Sequence, residues 1–464
     1  MKTTTVAVDY GDRQIDIDVP GRVTVARFQE PERLRNPAAS VRKALAEPHG
    51  APPLADLIKP GMTVAIGFDD PTRPPAPWQV MLPEVVDALI QGGIKKKNIQ
   101  LICAGGAHRK YTPAELAAFV GPKIFNMFWP SGQLTCHDCH DPAGLKDLGV
   151  TKGGGVAVHN RRFVESDLMI YCGQVMAHNW GGYTGMGVVV GLAGTRSINS
   201  HHSHKVVDDP KSANGDHMTM LYRRVKAEIQ GQIEKATGNR IFYVNWVGGA
   251  KGRMAGVFAG YSPEVEPPAW KLADTFHKVK VPEADILVLG LPQKFAYGTV
   301  DDPLVAMVGL TTPPRTWLNK PILKEGGVVI GVAPSSGTVN TDTHPSYPET
   351  IDLYSRYHNI RDLADHEGVV GNRPEHLHQY THGHAYHPIH GFWLFYESDY
   401  VFKRASAVIM AGTSNPGAFR AIGITPAQDF DQAWALARRN VGANPTTVVV
   451  PSYWSQRIFK FDVR

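Results

Sequence analysis

Short runs of apolar and β-branched residues recur along the chain, and many of them end in Gly or Pro. Continuous apolar runs of this length are typical of strands buried in a parallel sheet. In the first half these predicted strands are Thr63–Phe68, Asn98–Gly106, Asp167–Gly173 and Ile241–Gly248. In the second half they are Asp285–Pro292, Gly326–Pro334, Ala407–Gly412 and Thr447–Pro451.

Helical patterns lie between the predicted strands, at Gln79–Gln91, Pro113–Val120, His217–Gly231, Pro348–Tyr357 and Pro426–Asn440. This alternation is the signature of an α/β fold. The Pro-rich, polar segment Ser262–Lys271 indicates a domain boundary. We therefore predict two domains, residues 1–265 and 275–464. Each is expected to be a mostly parallel sheet flanked by helices, with the site in the cleft between them.

Composition and charge narrow the class of protein. Of the 464 residues, 43% are apolar and 20% are charged, which indicates ordinary globular cores. The net charge of +5 comes without a stripe of Lys and Arg, so nucleic acid is not implied. The sequence contains no run of 18 consecutive apolar residues, so it predicts no membrane span. The first 20 residues alternate like a pair of strands and lack the pattern of a signal peptide, so we expect a cytoplasmic protein.

Two loops that follow predicted strands carry residues suited to acid–base chemistry. In the first loop, Asp70 precedes Arg73 by three residues. Such an acid can hold the guanidinium against a substrate oxyanion, or the two can form a structural ion pair. In the second loop, Gly105 and Gly106 precede His108. His108 would lie at the mouth of the sheet, where a general base belongs, although a hydrogen-bonded structural role is equally open.

A glycine-rich stretch and a group of histidines follow the strand predicted at Asp167–Gly173. Four glycines lie within Gly181–Gly187, and such a loop can cradle a phosphate, although many are only turns. Three imidazoles then occur within His201–His204, which suggests a nickel, copper or zinc site or an exposed histidine-rich loop.

Two further patterns are ambiguous. The segment Cys136–His140 is a literal C-x-x-C-H, which can attach haem or supply half of a zinc site. Cys103 and Cys172 stand alone, so a polar loop is the favoured interpretation. The segment His376–His390 holds six histidines without a zinc spacing, and we expect mostly structural roles, with one imidazole at the site as the alternative.

Taken in order, the motifs resemble those of the nickel-pincer lactate racemase family. The order is D-x-T-R-P, G-x-H-R, H-D (His137-Asp138), then H-x-x-x-G-Y-T-G followed by G-L-A-G and a histidine-rich end. In the second half Gly290–Pro292, Ala411-Gly412 and Ile422–Ala427 continue the resemblance, which covers about residues 10–455.

The resemblance implies a cofactor and a reaction. In that family two α/β domains enclose a nickel-pincer nucleotide derived from nicotinic acid, which other proteins must build. One His takes the proton of a substrate 2-hydroxyl while the hydride from C2 moves to the cofactor. The hydride then returns to the other face of a planar keto intermediate. Two opposed His bases are needed because the two enantiomers present their hydroxyls to opposite sides.

The resemblance also implies roles for individual residues of this sequence. Its proton-transfer and positioning residues fall on Asp70, Arg73, His108 and His178. The nickel ligand falls on His202, with His201 and His204 as alternatives. The loop that holds the cofactor phosphate falls on Gly182, Tyr183, Thr184 and Gly185. Substrate contacts fall on Arg73, Trp180, Lys294, Thr299 and Asp302.

The sequence departs from the family pattern in two ways. The type member carries a Lys after the glycine-rich loop that tethers the cofactor, whereas no lysine occurs here between Lys152 and Lys205. A non-covalent cofactor is therefore predicted. The family's Gln and Lys for the substrate carboxylate fall near Thr299 and Asp302. An Asp there would repel a carboxylate and accept hydrogen bonds from hydroxyls, which favours a substrate larger or more hydroxylated than lactate.

We therefore predict an isomerase that racemises or epimerises a 2-hydroxy acid by hydride transfer. One alternative is a sugar epimerase with the same cofactor. Another is a metal-dependent lyase or hydrolase that uses His201–His204 without a nucleotide. A third is a binding protein that lost catalysis together with the lysine. Its expected partners are a small-molecule substrate and the proteins that build the cofactor, with no nucleic acid and no membrane.

Overall fold

The computed structural model of the chain describes residues 3–72, 76–178, 182–207, 209 and 221–464. Two main sheets organise these residues, one of six strands and one of eight. We call them the six-stranded sheet and the large sheet. Within the described ranges, no helix is long and apolar enough to cross a membrane.

The six-stranded sheet is built from the first half of the chain. In spatial order its strands are Met254–Tyr261, Ile241–Gly248, Leu168–Val175, Val64–Asp69, Ile99–Ala104 and Leu134–Cys136. All neighbours are parallel except the antiparallel edge strand Met254–Tyr261. The central strands are buried on both faces, which explains why their sequences are continuously apolar.

Helices cover both faces of the six-stranded sheet. One face packs against Pro37–Ala46, Trp78–Gln91, Pro113–Val120 and Pro122–Phe128. The other packs against Arg161–Val164, Val188–Gly191 and Leu221–Thr237, with Thr195–His202 alongside. Shorter elements complete this half: the helices Leu54–Leu57 and His204–Val207, and the strand pair Leu145–Val150 and Val156–Asn160.

The large sheet contains the strands of the second half. Its spatial order begins Thr425–Ala427, Ala407–Ala411, Leu323–Val332, Ala284–Pro292. On its other side Ala284–Pro292 pairs with Thr446–Val450, which in turn pairs with Arg22–Val25. The carboxyl end of Ala284–Pro292 also pairs with Thr3–Gly11, which in turn pairs with Arg13–Pro20. Only the hairpin Thr3–Gly11/Arg13–Pro20 is antiparallel.

Helices also cover the large sheet. Phe430–Val441 packs on one face, and Pro303–Thr311 and His390–Arg404 pack on the other. The remaining helices are Tyr347–Tyr357, Ile360–Ala364, Glu367–Val370, Pro374–His382 and Pro416–Ala421. Two small pairs lie outside the sheet: Lys278–Val281 with Lys460–Val463, and Lys294–Phe295 with Gly298–Thr299. The predicted α/β class, with mostly parallel sheets flanked by helices, is confirmed.

The N-terminal strands differ from the predicted domain grouping. The strand pair predicted at the start of the chain is present, but Tyr10 and Gly11 pair with Leu291 and Pro292. Residues 3–25 therefore belong to the sheet of the second half, although the sequence grouped them with residues 1–265. An alternating pattern identifies a strand without identifying its partner. The boundaries at 265 and 275 stay a prediction.

The Pro-rich segment Ser262–Lys271 is partly helical. The helix Glu266–Ala273 has prolines in its first turn, where their missing N–H groups cost no hydrogen bond. It buries Ala269 and Trp270 and packs against strands Ile241–Gly248 and Met254–Tyr261. The segment therefore packs against the six-stranded sheet.

Candidate active site

Two neighbouring strand ends bring Asp70 and His108 together. Strands Val64–Asp69 and Ile99–Ala104 are parallel partners, so the loops that follow them leave the same edge of the sheet. His108 Nδ1 lies 2.9 Å from Asp70 Oδ2, and the side chain of Asp70 is 3% exposed. An Nδ1–H that donates to a carboxylate leaves Nε2 as the acceptor, which is the tautomer of a general base.

Two hydroxyl groups hold the Asp70 carboxylate in place. The Thr72 hydroxyl donates to Asp70 Oδ1 at 2.7 Å, and the Tyr111 hydroxyl donates to Asp70 Oδ2 at 2.8 Å. Thr72 Oγ1 also lies 3.2 Å from His108 Nδ1. The carboxylate is therefore oriented from both sides before any substrate arrives. Arg73, the predicted partner of Asp70, lies outside the described residues.

His178 lies on another wall of the cavity that His108 lines. We call this space the central cavity; it measures about 100 Å³ between the described residues. The strand Leu168–Val175 leads into His178, whose backbone N–H donates to the Gly182 carbonyl at 3.1 Å. Its ring stacks on Tyr222 with centroids 5.4 Å apart. The two predicted bases therefore share one cavity.

The glycine-rich loop is fixed by Thr184. The Thr184 hydroxyl donates to the Gln174 carbonyl at 2.5 Å, and the Thr184 N–H donates to the Met176 carbonyl at 2.9 Å. Thr184 and Gly185 line the central cavity, as a cofactor loop would. The Tyr183 side chain is buried, and its hydroxyl donates to Asp274 at 2.6 Å. This hydrogen bond therefore fixes the glycine-rich loop to Asp274.

Adjacent imidazoles at the end of helix Thr195–His202 form a hydrogen-bonded pair. His201 Nε2 lies 3.1 Å from the Val189 carbonyl oxygen, which can only accept, so Nε2 carries the proton. Burial lowers the pKa of His201 to about 3, so the ring is neutral and its Nδ1 accepts. His202 Nδ1, 2.6 Å away, therefore donates. This tautomer leaves the lone pair on His202 Nε2, as metal binding requires.

Of the three histidines in His201–His204, only His202 lines the central cavity within the described part of the chain. His201 is fully buried, and His204 packs its ring against Tyr396. No three His, Cys, Asp or Glu side chains among the described residues are grouped to hold a metal. This arrangement gives no support to the alternative of a metal-dependent lyase or hydrolase built on His201–His204.

The C-x-x-C-H segment is structural. Cys136 Sγ accepts the Tyr111 N–H at 3.4 Å, whereas Cys139 Sγ is buried and accepts the Tyr380 hydroxyl at 3.2 Å. His137 is buried with Nε2 at 2.9 Å from the Ala193 carbonyl, and burial lowers its pKa to about 4. Separate partners for the two thiols agree with the favoured interpretation of a polar loop.

The predicted substrate residues of the second half lie beside the central cavity. Lys294 and Thr299 pair in a hairpin and, with Asp302, line a side cavity that Thr72 also borders. Asp302 is buried and caps helix Pro303–Thr311 by accepting the Leu304 N–H at 2.9 Å. Burial raises its pKa to about 7. The structure does not bring these three residues to the described walls of the central cavity, and Trp180 lies outside the described residues.

The second half nevertheless supplies one wall of the central cavity. Tyr297, His390, Trp393 and Glu397 line it, and none of them was predicted as a site residue. The His390 ring lies 5.4 Å from the His108 ring, and His390 Nδ1 lies 2.8 Å from the Tyr347 hydroxyl. The histidine-rich segment was the signal for His390, and one of its imidazoles does reach the cavity.

Two polar residues of the first half were also missed. Gln174 is 3% exposed and lines the central cavity, yet neither its amide oxygen nor its amide nitrogen has a hydrogen-bond partner among the described residues. Burying such groups unpaired costs about 1–3 kcal/mol each. Lys226 is 5% exposed, lines the same cavity and donates to the Gly185 carbonyl at 2.6 Å. Both lie in ordinary strand and helix patterns, so no sequence signal marks them.

Comparisons with known proteins point to one family. The family model described as the lactate racemase N-terminal domain matches residues 10–215. A lactate racemase of Thermoanaerobacterium thermosaccharolyticum is 25% identical over 301 residues, which span 61% of this chain and 65% of that protein. A lactate racemase of Lactiplantibacillus plantarum is 25% identical over 334 residues, 70% of either chain.

Solved structures show the same fold. The lactate racemase apoprotein of T. thermosaccharolyticum matches with a TM-score of 0.73 and 21% identity, covering 99% of this chain and all of that one. A Thermotoga maritima protein matches with a TM-score of 0.60 and 14% identity, and the match covers 94% of this chain and all of that one. The resemblance inferred from the motifs is confirmed: the chain is similar to lactate racemases, and its residues 10–215 match the model of their N-terminal domain.

Proposed function

We propose that the protein is an isomerase that racemises or epimerises a 2-hydroxy acid. The observation that carries this proposal is that two histidines, His108 and His178, line the same cavity from different strand-end loops. One of them is already paired with a buried carboxylate. The enzyme class agrees with the names of the relatives, which are lactate racemases.

The two imidazoles divide the proton transfer. His108 Nε2 takes the proton from the 2-hydroxyl of one enantiomer, and Asp70 stabilises the imidazolium that forms. His178 serves the opposite enantiomer, with its ring held on Tyr222. When bound, the nickel-pincer nucleotide supplies the hydride acceptor. The opposite histidine then donates a proton to the substrate oxygen, and C2 is inverted because hydride would be returned to the opposite face of the planar carbon.

The residues present fit such a cofactor. His202 offers an Nε2 lone pair to nickel, and Thr184, Gly185 and Lys226 surround a place for anionic groups. The stretch Met186–Val190 stands where the resemblance places the tethering lysine, and the side chain of Met186 is buried in an apolar cluster. The cofactor is therefore proposed to be held without a covalent bond. The cytoplasmic location and the dependence on cofactor-building proteins stay predictions.

The proposed substrate is larger than lactate. A second space, the outer cavity, measures about 510 Å³ and adjoins the central cavity at His178, Thr184, Tyr297 and Glu397. Its lining includes Lys251 and the apolar side chain of Trp454. A three-carbon acid would leave most of this space to water. A longer or polyhydroxylated 2-hydroxy acid would fill it.

The test is racemisation by His108→Ala and His178→Ala in enzyme produced together with the cofactor-building proteins. Each variant should lose at least about 100-fold in interconversion, because each base serves one face of the substrate. His378→Ala is the matched control, because His378 is an exposed histidine of the second half. Racemisation at near wild-type rates by either cavity variant would refute the assignment of the two bases.

A further inference from the structure

Arg457 differs from the other buried arginines of the described residues. Arg223 is paired with the Glu266 carboxylate, and Arg315 donates to the Glu397 carbonyl. Arg457 is 1% exposed, yet none of its three guanidinium nitrogens has a hydrogen-bond partner within the described structure. A guanidinium group only donates hydrogen bonds, so burying it unpaired opposes folding and points to an acceptor that pairs with it.

A second donor without a partner lies against Arg457. Trp246 is fully buried, and its indole Nε1 has no hydrogen-bond partner in the part of the chain that the structure describes. The Cζ atom of Arg457 lies 4.8 Å from the centre of the Trp246 ring. Because the indole N–H also only donates, the two side chains place four unpaired nitrogen donors in one small region of the interior.

The charge of Arg457 is not neutralised by contact with a carboxylate of the described residues. Glu30 acts on it electrostatically, but the Glu30 carboxylate accepts the Ala250 N–H at 3.0 Å and lies 3.8 Å from Arg253 Nη1. Burial lowers the pKa of Arg457 to about 9, so the guanidinium is charged at neutral pH. The region therefore lacks a negative charge in contact with this cation.

The other buried groups of this region supply no negative charge either. Burial, and next the charge of Arg457, lower the pKa of His277, so its ring is neutral. Lys460, three residues after Arg457, is 1% exposed and adds an amine. Donors and bases thus surround the guanidinium, and an anion is the kind of group that completes the arrangement.

The position of Arg457 in the chain favours a small ion over an organic acid. Its neighbours Gln456 and Ile458 line the outer cavity, whereas Arg457 is not among the described residues of that wall. The wall therefore separates the guanidinium from the space of the substrate. Trp246 belongs to the strand Ile241–Gly248 of the six-stranded sheet, so an ion held by both side chains joins the two halves behind this wall.

We propose that Arg457 and the indole N–H of Trp246 bind a small inorganic monoanion of the halide class at the junction of the two halves. A halide accepts N–H hydrogen bonds without a fixed direction, so donors a few ångströms apart can share it. The inference is independent of the proposed function.

The first experiment compares thermal unfolding of the full-length protein in sodium chloride and in sodium methanesulfonate at one ionic strength. Methanesulfonate is a bulkier monoanion and serves as the reference salt. Chloride should raise the midpoint by about 2–5 °C, because an ion that binds only the folded state stabilises it. Arg457→Met should abolish this difference between the two salts.

Arg223→Met is the matched control for the loss of a buried arginine. Arg223 also lies over a tryptophan, with Cζ 4.5 Å from the centre of the Trp270 ring, but it has Glu266 as its partner. This variant should lower the midpoint in both salts and keep the difference between them. Trp246→Phe, which keeps a ring and removes the indole N–H, should raise the chloride concentration that gives half of the stabilisation by about tenfold.

A second measurement locates the ion in the wild type and does not depend on how the variants fold. In crystals grown in bromide, an anomalous peak should lie within hydrogen-bond distance of the Arg457 guanidinium and Trp246 Nε1. The absence of this peak would overturn the inference. A peak without any effect of chloride on the midpoint would mean an adventitious ion only, which overturns it as well.

Two outcomes of the unfolding experiment would also contradict the halide site. A chloride effect that persists in Arg457→Met would place the responsible ion elsewhere. Stabilisation by a 2-hydroxy acid that requires Arg457, with no effect of chloride, would assign the guanidinium to the substrate instead.

Discussion

The contact between Asp70 and His108 decides which imidazole nitrogen faces the cavity. The carboxylate receives hydrogen bonds from Thr72 and Tyr111 as well as from His108, so it is held in one orientation. A fixed carboxylate of this kind keeps the ring in the tautomer that accepts a proton at Nε2. Under the proposed function the general base is therefore a pair of residues, in which the histidine contacts the substrate and the carboxylate orients the ring.

Asp70→Asn should lower turnover by about 100-fold, because the amide keeps the shape of the carboxyl group but does not stabilise the imidazolium. The measurement is the initial rate of racemisation of the loaded enzyme by chiral chromatography. Tyr111→Phe is the control, because it removes one hydrogen bond to Asp70 and leaves the contact with His108. Equal rates for Asp70→Asn and the wild type would show that His108 works without the carboxylate.

At this scale, the sequence pattern identified residues of the cavity wall where a polar residue directly follows an apolar run. Asp70, His108 and His178 stand just beyond predicted strands, and all three line the cavity. Gln174 lies inside the strand Leu168–Val175, and Lys226 lies on a helix with an ordinary polar pattern. Their position on the cavity wall depends on packing in three dimensions, which no one-dimensional pattern records.

At the scale of elements, the glycine-rich loop has two environments: some of its residues line the central cavity, and others pack in the core. Thr184 and Gly185 face the cavity, whereas Met186 is 3% exposed and packs with Tyr171 and Ile229 behind it. Met186 also has a φ of 51°, in the left-handed region. The loop therefore directs the side chain at position 186 away from the cavity.

Met186→Lys should destabilise the protein by about 3 kcal/mol, because it buries an ammonium group in an apolar cluster. Chemical denaturation of the cofactor-free protein measures this loss. Met186→Leu is the control for shape, because it keeps the position apolar and should cost less than about 1.5 kcal/mol. Unchanged stability in Met186→Lys, with a nucleotide mass that survives denaturation, would show that a tether can be restored here.

Two kinds of element were predicted correctly: short strands that are apolar throughout, and helices with one apolar face. The strand Ile241–Gly248 and the helix Pro113–Val120 have the predicted bounds. The helix His390–Arg404 was missed because its residues from His390 to Asp399 are all buried, so it has no polar face to show a helical period. The helix Pro303–Thr311 was missed for the same reason.

Across the whole molecule, buried histidines couple stability to pH. Burial lowers the pKa of six described histidines, among them His137, to about 4, and His159, His344 and His387, to about 3. Unfolded histidines titrate near pH 6.5. Between these values the unfolded chain binds more protons than the folded one, so stability is full above pH 6.5 and falls as the pH drops towards 4.

We expect the free energy of unfolding to fall between pH 7.5 and 4.5, with each such histidine contributing up to about 1.4 kcal/mol per pH unit. Urea denaturation across this range measures the slope. His159→Phe should make the slope shallower, because the buried ring at that position no longer titrates. A slope that is flat in the wild type would mean that these rings take up protons while folded.

The N-terminal strands give the molecule a second link between its two sheets. The chain leaves the large sheet after Val25, builds the six-stranded sheet, and returns to the large sheet at Ala284. A single covalent crossing would leave relative motion unrestricted in direction. Two covalent connections restrict the relative displacement of the two sheets more than one connection would.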